Sequence, residues 1–167
     1  VFFDFDPNTS GDNSGLSAHV KYNFNDMVFE SISSIRNSYM DNVQDVDFDG
    51  APIVNPSPIT QDLDQVTQEL RLYSDNDNDL NWLIGAHYYK EEMDYAESIY
   101  YGPGFRGYIG SFLPAGAFEG LEAAFGLPNG TIFPAGAGNT ETATQDNTST
   151  SIFMQADYNI TDKLNIL

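Results

Sequence analysis

The sequence predicts an all-β fold: an antiparallel, up-and-down segment of a transmembrane β-barrel, about five to six strands of a larger barrel, with short periplasmic turns and long extracellular loops. Three observations lead there. Several stretches alternate apolar and polar residues with the period of two that a strand imposes. The connections between them alternate short and long along the chain, which sorts the loops to the two ends of the sheet. The composition, 14% aromatic with a net charge of −19, supplies little Leu, Ile and Val for a dry two-layer core.

The first strand is Leu16 to Phe24, with Leu16, Ala18, Val20, Tyr22 and Phe24 on one face and Ser17, His19, Lys21 and Asn23 on the other. Asn25-Asp26 is a tight-turn signal. Met27 to Tyr39 is the second strand; its apolar residues Met27, Phe29, Ile32 and Ile35 change parity midway, as a bulge near Ser33-Ser34 would make them. Asp41 to Asp64 is rich in Asp, Asn and Pro without periodicity, so 41–64 reads as a long loop. Val66 to Ser74 sets Val66, Leu70 and Leu72 against Thr67, Glu69, Arg71 and Tyr73. After a polar turn at Asp75 to Asp79, Leu80 to Tyr89 returns as its hairpin partner, with Trp82, Ile84, Ala86 and Tyr88 opposite Asn81, Gly85 and His87. The connection over 91–147 is too long for an ordinary loop, so it is functional, disordered or locally folded. Within it Phe118, Leu121 and Phe125 recur at helical spacing before Pro128, which predicts one short helix. Thr148 to Tyr158 is the fifth strand, Asn159 to Lys163 a turn, and Leu164 opens a sixth.

Composition excludes several classes. Six basic residues against twenty-five acidic ones, with no two of the six adjacent, cannot neutralise a phosphate backbone, so nucleic acid is not a partner. Cysteine is absent, which removes disulfides, thiolate metal sites and a Cys nucleophile. No stretch approaches the ~18 consecutive apolar residues of a membrane helix. The start, Val1-Phe2-Phe3-Asp4-Phe5-Asp6, lacks the order of a signal peptide, and the end breaks off just as alternation restarts. The expectation is a fragment: residues 1–167 as part of one barrel domain.

Particular segments carry a family resemblance. Gln68-Glu69-Leu70-Arg71-Leu72, a short turn, then Trp82-Leu83-Ile84-Gly85-Ala86-His87-Tyr88-Tyr89 resembles the hairpin of TonB-dependent outer-membrane receptors in which an "ELRL" strand precedes a "W-x-x-G-x-x-Y" strand. Phe153 to Leu164 is similar to a later hairpin closing in "Y-x-x-T-D-x-L", and Ser31 to Arg36 is more loosely similar to an "S-I-T-x-Y-R" strand. The resemblance covers nearly the whole chain but about a quarter of the family's barrel. It implies a barrel of about 22 strands with a plugged lumen, in the outer membrane of a Gram-negative bacterium. It also implies uptake of a scarce small molecule, most often a ferric siderophore, then cobalamin or oligosaccharides. Energy would come from the TonB complex through a plug that these residues do not include, and no cofactor is implied.

Candidate sites follow from residue chemistry. Asp45-Val46-Asp47-Phe48-Asp49-Gly50 matches the opening of an EF-hand loop, but the twelfth position is Pro56 instead of a bidentate Glu. It reads as a solvated acidic loop, with weak calcium binding by Asp45, Asp47 and Asp49 as the alternative. Gly102-Pro103-Gly104-Phe105-Arg106-Gly107 fits G-x-G-x-x-G, yet Pro103 removes an N–H where pyrophosphate would sit, so no dinucleotide site is expected. Tyr100, Tyr101, Phe105, Arg106 and Tyr108 gather aromatic rings and one cation, suited to holding a ligand or to packing the loop on itself. Glu69, Arg71, Asn81, His87, Gln155 and Asp157 are expected to face the lumen. Val66, Leu70, Leu72, Trp82, Ile84, Ala86, Tyr88, Ile152, Met154 and Tyr158 are expected to face lipid. His19 and His87 fall on polar faces without a partner nameable in sequence, and Asn8, Asn129 and Asn147 read as ordinary loop residues despite their sequons.

Three functions stay open: active import through a plugged barrel, a small complete outer-membrane barrel with a structural or adhesive role, and a secreted acidic β-protein that binds sugar or calcium. An enzyme is the least supported, because no nucleophile, acid-base pair or metal set converges. For an importer, ligand contact is expected between Tyr95 and Thr140, where aromatic residues and Arg106 concentrate.

Overall fold

Six strands form one antiparallel up-and-down sheet in the order β1-β2-β3-β4-β5-β6. The computed structural model describes residues 4–75, 79–161 and 164–167. The strands are β1 (Asn8–Phe24), β2 (Met27–Gln44), β3 (Ser57–Ser74), β4 (Leu80–Tyr100), β5 (Gly138–Thr161) and β6 (Leu164–Ile166). Pairing of sequence neighbours is what short turns permit. The sheet is open rather than closed into a barrel, with β1 and β6 at its edges. At Asn25-Asp26 the chain reverses with Asn25 at φ 50°, a left-handed conformation that the short Asn side chain tolerates. The turns expected at Asp75–Asp79 and Asn159–Lys163 fall partly on 76–78 and 162–163, and the start of the sequence on 1–3, all outside the described residues. β6 pairs with β5 through Tyr158 opposite Ile166 and Thr161 opposite Leu164, with a register shift between Asn159 and Thr161.

The strands run well past the alternating stretches that announced them. β1 begins at Asn8 instead of Leu16, β2 continues to Gln44, β3 starts at Ser57, β4 reaches Tyr100 and β5 starts at Gly138. The loops expected over 41–64 and 91–147 shrink accordingly to 45–56 and 101–137. A ladder of backbone hydrogen bonds needs no apolar face, so a registered hairpin keeps zipping where residues of good β propensity continue. Thr140, Thr142 and Thr144 supply such residues on β5. Cross-strand side-chain bonds help: Thr9 Oγ1 donates to Asn42 Oδ1 at 2.9 Å, and the Ser98 and Thr140 hydroxyls lie 2.8 Å apart.

Two helices occupy the β4–β5 connection where one was expected. α2 (Ala117–Ala124) is the anticipated one. It ends in a Schellman motif, with Leu127 N–H donating to Glu122 O at 2.8 Å, Gly126 N–H to Ala123 O at 3.2 Å, and Gly126 at φ 66°. α1 (Phe105–Gly110) was hidden by its glycines, whose helix propensity is poor.

By contacts the chain groups into two units, one of residues 1–12, 39–61 and 94–143, the other of residues 13–38, 62–93 and 144–167. The first buries Ile59 and Phe118 together with the polar Asp45, Ser57 and Glu122; Ser57 Oγ satisfies itself by donating to Ser98 O at 2.8 Å. The second buries Val28 and is otherwise a sheet with two unlike faces. On one face Leu16, Val20, Tyr22, Val66, Leu70, Ile84, Tyr88, Ile152, Met154 and Tyr158 are all exposed, Ile152 and Met154 to 75% and 77%. On the other lies a polar network. The Phe153 ring covers Gly85, so closely that a Cβ there would fall on the ring.

Candidate functional site

The polar sheet face is organised around Glu30 on β2. Its carboxylate lies 3.7 Å from Lys21 Nζ and 3.9 Å from His19 Nε2, and accepts the Tyr73 hydroxyl at 2.9 Å. Along β3, Arg71 Nε donates to Glu69 Oε1 at 2.7 Å. Arg71, Asn81, Gln155 and Asp157 join Glu30 and Tyr73 around an open concavity of about 330 Å³. Of the residues expected to face a lumen, Arg71, Asn81, Gln155 and Asp157 line this concavity, and Glu69 meets Arg71. His87 is half-buried on β4 and does not line that concavity. Nearby, Gln65 Nε2 donates to Tyr89 Oη at 3.0 Å and to Glu91 Oε2 at 2.9 Å, while Tyr89 donates to Glu91. Glu30 escaped the sequence reading because it sits where the apolar parity of β2 becomes mixed; its partner His19 had been assigned none.

The β4–β5 connection folds into a cap held at its base by backbone. Tyr101 N–H donates to Ala137 O at 2.7 Å, Tyr101 O accepts Gly136 N–H at 2.8 Å, and Gly102 and Gly104 N–H donate to Ile53 O and Pro52 O, both at 2.8 Å. The G-x-G-x-x-G run does follow a strand and open a helix. However, a Cβ on Gly102 would collide with the Pro52 carbonyl, so this glycine serves close approach of two chain segments, in the space a phosphate would need. Above the base, Tyr101 stacks on Phe105 at 4.1 Å, and the Phe133 ring meets Tyr101, Phe105 and Phe118 edge-on at 5.6, 5.4 and 5.7 Å.

Arg106 lies over Phe118, 4.9 Å from the ring centre. It grips the buried Glu122 with two hydrogen bonds of 2.8 and 2.9 Å, donates to Ile132 O at 2.6 Å, and reaches Glu119 at 3.2 Å. Glu122 also accepts Gly130 N–H at 3.1 Å and Ile132 N–H at 2.7 Å. The Arg106 guanidinium, aided by these two N–H groups, overcomes burial and holds the Glu122 carboxyl at about 2. Glu119 is lowered too, by its own backbone N–H and then by Arg106, and Arg106 is raised, chiefly by Glu122. Of the five residues singled out as ligand-binding, Tyr101, Phe105 and Arg106 enter this cap. Tyr100 stays on β4 with its hydroxyl 3.2 Å from Thr140 Oγ1, and Tyr108 is exposed, edge-on to Phe112 at 5.2 Å. The charge of Arg106 is therefore offset by two carboxylates, and Phe118, Phe133, Glu119 and Glu122 complete the group. The i,i+3 spacing of Glu119 and Glu122 on one helix was the available signal for the last two.

In the β2–β3 loop the aspartates spend most of their oxygens on backbone turns. Asp45 Oδ1 accepts Asp47 and Phe48 N–H at 3.3 and 3.1 Å, Asp47 Oδ1 accepts Asp49 N–H at 3.0 Å, and Asp47 Oδ2 accepts Val54 N–H at 2.7 Å. Asp49 turns away to Ala51 N–H at 3.1 Å. Asp4 takes its place: Asp4, Asp45 and Asp47 each offer an oxygen, all within 4.8 Å of one another.

No protein-family model, curated protein or solved structure matches the chain.

Proposed function

We propose that this chain is a segment of an outer-membrane β-barrel of the TonB-dependent receptor kind, in a Gram-negative bacterium, importing a scarce small molecule such as a ferric siderophore. One observation supports it above the others: a single-layer sheet in which one face is lined with exposed Leu, Val, Ile, Met and Tyr and the other with an ion-paired polar network. Covering such apolar side chains is worth about 1.5–3 kcal/mol each for the larger ones. A second protein layer or a bilayer could cover them, and connections that alternate short and long favour the bilayer. Ligand contact is assigned to the β4–β5 cap, where Tyr101, Phe105 and Arg106 form the frame and Tyr108 faces outward. Binding energy there comes from aromatic surface, since Arg106 is already paired. Energy coupling to the TonB complex would run through a plug domain.

The absence of native cysteine makes the test direct. Nitroxide labels on single cysteines at Ile84 and Ile152, and at Asn81 and Gln155, are read in bilayers for collision with oxygen and with a water-soluble nickel chelate. The first pair should collide with oxygen and the second with nickel. Nickel access at all four positions rejects the membrane reading.

A further inference from the structure

We infer that Asp4, Asp45 and Asp47 form a calcium site that fastens the segment preceding β1 to the β2–β3 loop. Asp45 is 3% exposed, and its Oδ2 is buried with no hydrogen-bond partner among the described residues. A carboxylate oxygen withdrawn from water and left unpaired is costly, and native structures rarely tolerate one unless an ion or water completes it. Oxygens of Asp4 and Asp47 stand with Asp45 inside a 4.8 Å cluster, so three negative charges crowd one spot. Among the described residues none of the three carboxylates forms an ion pair. Arg106 is the one basic residue in the unit that contains all three, and it is engaged by Glu119, Glu122 and Ile132 O.

The donors are all hard oxygens, without His or thiolate, which selects against zinc, copper and nickel. Calcium accepts six to eight oxygens in flexible geometry, whereas magnesium demands a near-ideal octahedron at shorter distance. An irregular loop whose carboxylates also cap backbone N–H groups suits the larger ion. Asp47 keeps lone pairs for it, since each of its oxygens accepts a single N–H. Backbone carbonyls and water would supply the remaining ligands. The EF-hand spacing noted in the sequence is thus used in part, with Asp4 replacing Asp49. This inference stands apart from the membrane reading, and its outcome does not depend on it.

The experiment is calorimetric titration of the EDTA-stripped full chain with CaCl2 alone, in the wild type and in Asp45→Asn, Asp4→Asn and Asp49→Asn. One ion should bind in the range of about 10⁻⁴ to 10⁻³ M found for extracellular modules. Loss of one charged ligand in Asp45→Asn or Asp4→Asn should weaken it by about tenfold or more, and Asp49→Asn should leave it within about twofold. Asp4 is exposed, so its variant tests the site without endangering the fold. An absence of binding heat, an Asp49→Asn loss equal to that of Asp4→Asn, or equal affinity for MgCl2 would each overturn the assignment.

Discussion

Replacing Phe118 by Ala should loosen the β4–β5 cap. Phe118 is 8% exposed, lies under the Arg106 guanidinium, and meets the Phe133 ring edge-on. An aromatic side chain buries roughly 150–250 Å², so at ~25 cal/mol per Å² its burial is worth roughly 4–6 kcal/mol. Residual burial in the unfolded chain removes about 10–40% of that, leaving about 2–6 kcal/mol, a span that contains the roughly 3–5 kcal/mol usual for Phe→Ala in a core. The Gly130 and Ile132 N–H groups report on the same unit, because both donate to Glu122 one helical turn from Phe118. Their protection against hydrogen exchange should fall by about two to four powers of ten, at about 1.4 kcal/mol per power. Amides of the polar sheet face, such as those around Arg71, should be unchanged. Unaltered protection at Gly130 and Ile132, or an equal loss throughout the sheet, would refute the idea that Phe118 is the keystone of a locally cooperative cap.

Further outcomes can be measured independently. Since the folded Glu122 carboxyl is depressed from the ordinary 4.5 to about 2, its contribution is present above pH 4.5 and lost as pH falls through about 2. A carbon-13 titration should find it ionised at pH 4, and Arg106→Ala should move the titration upward. On the proposed outer-membrane reading Ile84→Arg should cost about 2–4 kcal/mol near the bilayer midplane, while Asn81→Arg is tolerated, as read by the fraction of heat-modifiable folded protein on cold detergent gels. Gly85→Ala must displace the Phe153 ring and should destabilise by about 1–3 kcal/mol, whereas Gly107→Ala, with open space around it, should be neutral or stabilising in α1, both followed by thermal melting.

The strand order and the two faces of the sheet were legible because both depend on local signals. Period two fixes which of Leu70 and Arg71 points where, and Asn25-Asp26 fixes the neighbour. Strand ends were not legible: Asn8 to Gly15 has the composition of a turn, yet extends as β1 because β2 offers its edge to it. α1 was missed because a Gly-rich helix tied down by the base of the cap has little intrinsic propensity. At the candidate sites the residue types were visible but their partners were not. Arg106 reads as a free cation until Glu122, sixteen residues on, is seen to hold it, and Asp4 lies forty-one residues from Asp45. Contacts of that separation have no periodicity to betray them.

The clasp at Tyr101 also bears on how such a chain can change over generations. Its hydrogen bonds to Gly136 and Ala137 join the two ends of the connection through backbone alone, without any side chain of the intervening residues. Closing a loop costs entropy that grows only logarithmically with length, about 0.6 kcal/mol per doubling. Insertions, deletions or wholesale exchange between 102 and 135 therefore need not disturb β4 or β5, provided those two tethers persist. The strands are left as an inherited frame, and the segment they present is where sequence change is cheapest.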